Sequence, residues 1–383
     1  MARVQGQGTI AAHVAVLGLG PAGRAALHRL TARGVDAIGI DQDPTRPWRP
    51  TYAAWADEIP GWVPPAAIST TSPASAWALS EHRAARDYSV FDTRGLQRAL
   101  SCPDDRVLTG RVVGADGHDV SLADGRTVRA GIVLDARGNR PDVHRAQQTA
   151  VGVVLRRTDV PVLDRTWFMD WRRDNGTGPG DPPSFLYVVP LDDERLLAEE
   201  TCLVGRPALS ERELRHRLHV RLAARGVRLT GDETTETVRF SVEPEPADPA
   251  GSGPLRIGAR GGLMHPATGY SVAVSLDIAE RLSVAVADGA ADLDAVIWTP
   301  AERRVHRLRT TGLTTLLRLR SDQVPAFFEA FFRLPRGLQR AYLSRRDRPT
   351  ATMAAMMTMA ATMRPSLTRI AVSSAMGGPA KDR

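Results

Sequence analysis

Lysine is almost missing from this chain of 383 residues: Lys381 is the only one, and arginine carries the rest of the positive charge. Cysteine is nearly as scarce, with Cys102 and Cys202 alone. Two cysteines build no disulfide framework, and without a C-x-x-C pair they offer neither a zinc site nor a dithiol couple, so no metal centre is expected. No apolar run approaches the roughly 18 residues that a membrane-spanning helix needs. The first ten residues, Met1 to Ile10, lack the charged start and apolar run of a secretory signal. The expectation is a cytoplasmic protein, with attachment to a membrane surface still open.

What is present is ordinary globular material, 43% hydrophobic and 24% charged, in a length that suits two domains or one large one. The formal charge of +7 is local: residues 301–350 hold twelve arginines against Glu302, Asp322, Glu329 and Asp347, a net +8. One basic segment needs a partner, and nucleic acid and an anionic membrane surface are the two candidates.

Along the chain, His13–Leu17 reads as a buried strand, 24–33 as a helix and 35–40 as a second strand ending at Asp41. Residues 46–77, with Trp48, Trp55, Trp62 and Trp77, read as irregular with short helices. Asp92 is the expected N-cap of a helix to Leu100. Strands are expected at 107–113, 119–122 and 127–134, with a turn at Ala123-Asp-Gly125. A second sheet is expected from 149–155, 167–171 and 184–190, with a linker at 175–183, a helix at 209–225 and a proline-rich break at 243–249. After a strand at 255–258 and a glycine-rich turn, a helix starts near Tyr270, and the chain is helical from 300 onward. No internal repeat is visible.

Gly18-x-Gly20-x-x-Gly23 follows a strand and opens a helix, and Asp41 closes the next strand 18 residues beyond Gly23. Glycines there let the backbone turn tightly and approach a pyrophosphate seated on the helix N-terminus, beside Pro21 and Ala22. The acid accepts hydrogen bonds from ribose hydroxyls, which points to FAD or NAD and away from NADP. The run from Ala123 to Gly138 resembles the strand–turn–strand of glutathione-reductase-type flavoproteins. Gly258-Ala-Arg-Gly-Gly-Leu-Met-His-Pro-Ala-Thr-Gly269 stands where those proteins place a second flavin loop. FAD is therefore favoured, with Gly262, His265, Pro266, Thr268, Gly269 and Tyr270 as loop residues near it.

Together these stretches resemble the flavin-dependent lycopene cyclases of bacteria and plants. The resemblance runs from about residue 14 to 345 and includes Thr51-Tyr-Ala-Ala-Trp-Ala-Asp-Glu-Ile-Pro-Gly-Trp62, Val90-Phe-Asp-Thr-Arg-Gly-Leu-Gln97 and Leu134-Asp-Ala-Arg-Gly-Asn-Arg-Pro141. Gln147-Gln-Thr-Ala-Val-Gly152, Phe168-Met-Asp-Trp-Arg172, Pro183-Ser-Phe-Leu-Tyr-Val-Val-Pro190, Leu197-Ala-Glu-Glu-Thr201 and His265-Pro-Ala-Thr-Gly-Tyr-Ser271 follow in order. Leu197-Ala198 stands where the family usually has Phe-Leu, and Ala53 replaces a common glycine.

The resemblance implies an α/β protein. A glutathione-reductase-type, Rossmann-like FAD-binding domain (1–150 and 251–300) carries an inserted antiparallel-sheet substrate domain (151–250), and a helical region (301–383) follows. It implies conversion of the ψ ends of lycopene, or a related carotene, to β rings without net redox change. A glutamate protonates the alkene, and reduced FAD, fed by NAD(P)H, faces the carbocation. Glu199 is the matching glutamate and Glu200 its neighbour; on a strand only one of the two faces the substrate. A buried carboxyl beside a polyene and an anionic flavin holds its proton near neutral pH.

His265 reads as a structural loop residue or as a group near the flavin. The tryptophans at 48–77 serve as plain core or as the wall of a polyene tunnel. Phe327, Phe328, Phe331 and Phe332 form one helical face, either packed inside or turned to a membrane beside the arginines. Met353, Met356, Met357, Met359 and Met363 form an adaptable apolar stretch over an entrance or a loose tail. An FAD-dependent monooxygenase on an apolar substrate is the alternative, disfavoured because Gly258-Ala-Arg260 lacks the acid such enzymes carry there. A non-enzymatic carotenoid or nucleic-acid binder leaves the glycine fingerprint unexplained. Peripheral membrane contact through 301–350, and no nucleic acid, is the resulting expectation; no feature sets an oligomeric state.

Overall fold

The computed structural model describes residues 4–5, 9–140, 142–246 and 253–377. Pro141, Lys381 and the end of the proline-rich break lie outside them. Two eight-stranded sheets organise the described residues. In the first, Thr9–Leu17 pairs in parallel with Ala37–Asp41 on one side and Thr127–Asp135 on the other. Val14 to Leu17 are wholly buried, as expected of a parallel strand covered on both faces. The crossover between the first two strands is the helix Pro21–Ala32, which starts three residues before its expected position because Pro21 at its first turn already has a helical φ. Leu27 and Leu30 of this helix pack with Leu276 and Leu282 of the helix Val272–Ala287 in one core.

The second sheet runs Thr235–Ser241, Gln147–Arg156, Arg195–Gly205, Phe185–Pro190, Thr166–Asp170, Ile68–Trp77, Glu81–Phe91, Ala53–Trp55. Short helices do form at Ala56–Glu58 and Pro65–Ala67, but the strands Ala53–Trp55 and Ile68–Trp77 correct the irregular reading of 46–77; with Glu81–Phe91 they sit in the second sheet, although the expected division puts 1–150 with the first. Ile68–Trp77 is rich in Ser, Thr and Ala, so its local signal is weak; pairing along Glu81–Phe91 and Thr166–Asp170 makes it a strand.

The helix Glu211–Ala224 is capped by the Ser210 hydroxyl, which accepts from the Glu213 amide, and it covers one face of the second sheet. Asp92 does precede a helix, Thr93–Ala99, but its side chain makes no capping bond. From 300 onward the described residues form five helices, Pro300–Arg318, Val324–Phe332, Arg336–Leu343, Pro349–Thr362 and Pro365–Ala375. A proline stands at or beside each start, where it cannot continue the preceding helix but fits the first turn of the next.

The phenylalanine face packs inward. Phe327, Phe328 and Phe331 are buried, Phe328 stacks on Trp171 at 5.0 Å between centroids, and Phe332 stacks on His82. Among the described residues no helix is long and apolar enough to cross a membrane.

Candidate active site

The glycine loop is built by contact distances that exclude side chains. Gly18 has φ +84°, and a Cβ there would lie 2.8 Å from the Arg137 backbone; a Cβ on Gly23 would lie 1.9 Å from the Gly18 carbonyl oxygen. Gly20 is the N-cap of the following helix and has open space where its Cβ would be. Asp41 accepts from the Leu19 amide at 2.7 Å and from the Asp43 amide at 2.9 Å, so its carboxylate is fixed beside the loop. Gly18, Gly20, Pro21, Ala22 and Asp41 line one cavity of about 430 Å3 that reaches Ser271 and Val272 at the start of a second helix. Gly23 lies behind them, buried in the helix. Ser271 makes no side-chain cap, which leaves amides of that helix end for a ligand.

A second cavity, also of about 430 Å3, shares Tyr52, Ser271 and Val272 with the first. Its floor is a row across the second sheet. Tyr187 pairs with Glu199, Glu199 with Gly152, and Gly152 with Glu236; residues directly opposite share a face. The Glu199 carboxyl is buried and accepts from the Thr201 hydroxyl at 2.7 Å. Burial, and then the neighbouring Glu236 charge, push its pKa up to about 8. Glu236 accepts from the Thr51 amide at 2.8 Å and the Thr51 hydroxyl at 2.7 Å; burial raises its pKa too, against these two bonds.

Aromatic rings form much of the remaining wall. The Tyr88 hydroxyl donates to Tyr270 at 2.7 Å and accepts from Tyr187 at 3.2 Å. Phe168 stacks on Tyr270 at 5.8 Å and 11°. Two buried atoms of the lining, Thr268 Oγ1 and Gln148 Oε1, have no hydrogen-bond partner among the described residues. Buried polar atoms are ordinarily satisfied, so the cavity suits a ligand that brings polar edges as well as apolar area. The four tryptophans at 48–77 do not line it. Trp48 and Trp62 pack on the first core, as the plain-core reading expects, whereas Trp55 packs on Tyr88 and Phe168 and lines a pocket that adjoins this cavity.

Glu200 points the other way. Arg221 donates to both its oxygens, at 2.7 and 3.0 Å, and Asn175 and Ser184 add bonds at 2.8 and 2.7 Å. Wholly buried and fully bonded, it anchors the strand to the covering helix and is not a cavity acid, contrary to its expected place beside Glu199.

The loop after the strand Leu255–Arg256 divides as well. Thr268 and Gly269 line the glutamate cavity; a Cβ on Gly269, at φ +76°, would strike the Phe240 ring at 2.6 Å. Gly262, His265 and Pro266 instead line an adjoining pocket of about 30 Å3, which shares Ala53, Met264, Tyr270, Ser271 and Val272 with the glutamate cavity. His265 Nδ1 accepts from the Ala267 amide at 3.2 Å, so Nε2–H donates to the Tyr342 carbonyl at 3.2 Å. Burial holds its pKa well below the usual value. A neutral imidazole with both nitrogens engaged has none left for a cofactor, which corrects the expected binding role of His265.

Sequence reasoning missed Glu236, Tyr88, Tyr187, Thr51 and Gln148 as cavity residues. The one available signal was alternation in Thr235-Glu-Thr-Val-Arg-Phe-Ser241, which puts Glu236, Val238 and Phe240 on one face.

Glycine loop, strand-end acid and crossover helix, joined to a second large sheet, define an α/β fold of the flavoprotein type. A solved geranylgeranyl bacteriochlorophyll reductase-like protein of Thermoplasma acidophilum shares the fold, with TM-score 0.66 at 14% identity over 96% of this chain and 100% of that one. A flavoprotein/dehydrogenase of Cytophaga hutchinsonii follows with TM-score 0.60 at 13% identity, over 96% and 99%.

The chain belongs to the lycopene cyclase protein family, which it matches over residues 13–369. It is 33% identical over 344 residues to a protein of Deinococcus radiodurans named "Uncharacterized carotenoid cyclase", covering 84% of this chain and 83% of that protein. It is 31% identical over 370 residues to the chloroplastic lycopene beta cyclase of an Oncidium hybrid cultivar, covering 87% and 78%.

Proposed function

We propose that the chain cyclises ψ ends of lycopene, or of a related carotene, to β rings, with Glu199 as the acid. The observation that carries this reading is a carboxyl with a pKa of about 8 in an aromatic-walled cavity that adjoins a dinucleotide cradle. Protonating an alkene creates a tertiary cation, so the donor must hold a proton near pH 7, and its surroundings must be electron-rich and dry. Glu199 meets the first need. Tyr88, Tyr187, Tyr270 and Phe168 meet the second, through ring faces that attract a cation.

FAD fits the residues present. Gly18, Gly20, Pro21 and Ala22 would hold its pyrophosphate at the helix start and Asp41 its ribose. Thr268, Gly269 and the uncapped helix end at Ser271 would hold the ring. Bound in its reduced form, with NAD(P)H as the reductant, FAD would supply negative charge beside the cavity.

A bilayer-soluble substrate goes with a cytoplasmic protein that touches the membrane surface. The arginines of 301–350 support such contact only in part, since Arg309 is buried and Arg346 nearly so. Exposed apolar side chains on the last two helices, Met353, Met357 and Val372, support it further.

Incubation with lycopene, FAD and NAD(P)H in the absence of oxygen tests the reaction. Ring-bearing carotene of unchanged composition is expected. Product that forms only in air and gains an oxygen atom would make the protein a monooxygenase instead.

A further inference from the structure

Glu236 is a second carboxyl in the glutamate cavity, and the scheme above leaves it without a task. It stands on the strand Thr235–Ser241, across Gly152 from Glu199 and on the same face. Among the described residues neither glutamate has a cationic partner; Arg239, which also lines the cavity, gives its guanidinium to Gln147. The two differ in what they accept. Glu199 takes one bond, from a hydroxyl, while both Glu236 oxygens are bonded by Thr51, through its amide and its hydroxyl. Hydrogen bonds to both oxygens favour the ionised form of Glu236 and oppose the rise that burial gives its pKa, and two carboxyls in one cavity do not both ionise readily. The pair therefore starts as an acid and a carboxylate, the division of labour that acid–base chemistry needs.

We propose that Glu236 is the base of the same reaction, taking the proton that the ring-closed cation releases after Glu199 has given the first. This rests on the function proposed above. In the first step the Glu199 O–H bond breaks and its proton joins the terminal alkene, whose π electrons form the new C–H bond. A second alkene closes the ring by giving its π electrons to the cation, which moves the charge to a ring carbon. A C–H bond next to that carbon then breaks, its electrons form the ring alkene, and the proton passes to a Glu236 oxygen. Product and substrate have the same atoms and electrons, and a proton returned from Glu236 to Glu199 resets the site. Three carbons adjoin the final cation, and loss of a proton from each gives a different ring isomer, so a base fixed on one side selects among them.

FAD-loaded wild type, Glu236→Gln, Glu236→Asp and Glu199→Gln are compared with lycopene in oxygen-free deuterated water. Glu236→Gln is expected to keep flavin and to incorporate deuterium. Its β-ring product should fall about tenfold or more, with other ring isomers or a water-trapped alcohol taking its share. Glu236→Asp should recover part of the β ring. A wild-type isomer ratio at wild-type rate in Glu236→Gln overturns the inference. So does loss of deuterium uptake with flavin retained, which would put Glu236 in the starting step. If Glu236→Gln does not fold, Thr51→Val replaces it: a shifted isomer ratio is expected, and an unchanged one overturns the proposal.

A readout without turnover is the infrared band of the protonated carboxyl that Glu199→Gln removes. With the Glu236 charge gone, that band should vanish at lower pH than in wild type; Tyr52, Tyr187, Tyr270 and Arg239, which also line the cavity, are unchanged. An unshifted titration contradicts the pairing. Ring formation by Glu199→Gln would instead count against the acid assigned above, so the two failures are separable.

Discussion

Glu199 and Glu236 flank Gly152 in register, one on each neighbouring strand, so two carboxyls share a cavity with no side chain between them. A Cβ at position 152 would lie 2.7 Å from a Leu197 methyl and 3.3 Å from the Glu199 Cβ. Gly152→Val is therefore expected to crowd Glu199. A stability loss of about 1–3 kcal/mol, read from denaturant unfolding, should accompany a fall in ring formation with flavin content kept. Unchanged turnover would mean that the gap at 152 has no part in the site.

The raised Glu199 pKa sets a sign for pH dependence. The folded protein holds this proton up to about pH 8, whereas an unfolded glutamate releases it near pH 4.3. Between those values the folded state binds more protons, so Glu199 makes stability fall as pH rises. The upper bound is about 5 kcal/mol at 1.36 kcal/mol per unit. Glu199→Gln should flatten this part of the stability–pH curve and gain stability at pH 8; a variant curve parallel to wild type would contradict it.

Glu200 and Arg221 form a wholly buried ion pair. Removing one partner leaves the other charge uncompensated, at about 3–5 kcal/mol, while replacing both is far milder. Arg221→Met is expected to lower the thermal midpoint sharply and Arg221→Met/Glu200→Leu to restore part of it. Equal losses in the single and double variants would show that the pair does not couple.

Membrane contact predicts flotation with anionic liposomes that weakens as salt rises. Met353→Asp/Met357→Asp, which charges two exposed apolar side chains, should reduce flotation at low salt. No flotation at any salt would leave the arginines of 301–350 as solvated surface and internal pairs.

Legibility in the sequence followed how local each signal is. The glycine loop and Asp41 stand within one strand–helix–strand unit, and their spacing alone points to the cradle. Glu199 was readable through its motif, but the choice between Glu199 and Glu200 depends on which face of the sheet each meets, and pairing with Gly152 and Tyr187 decides that. Glu236 becomes a neighbour of Glu199 only when two strands flank 147–156, so no short window reveals it. His265 is occupied by a carbonyl 77 residues away. The strand Ile68–Trp77 rests on its pairing with neighbours, since its small and polar residues by themselves read as irregular.

The most direct test is deuterium incorporation into the ring of carotene formed from lycopene in oxygen-free deuterated water, in wild type and Glu199→Gln with equal flavin content. Deuterium is expected in the wild-type ring and neither ring nor deuterium in Glu199→Gln, a loss of at least about 100-fold. Ring product from Glu199→Gln at a rate near wild type, with deuterium incorporated, would contradict it.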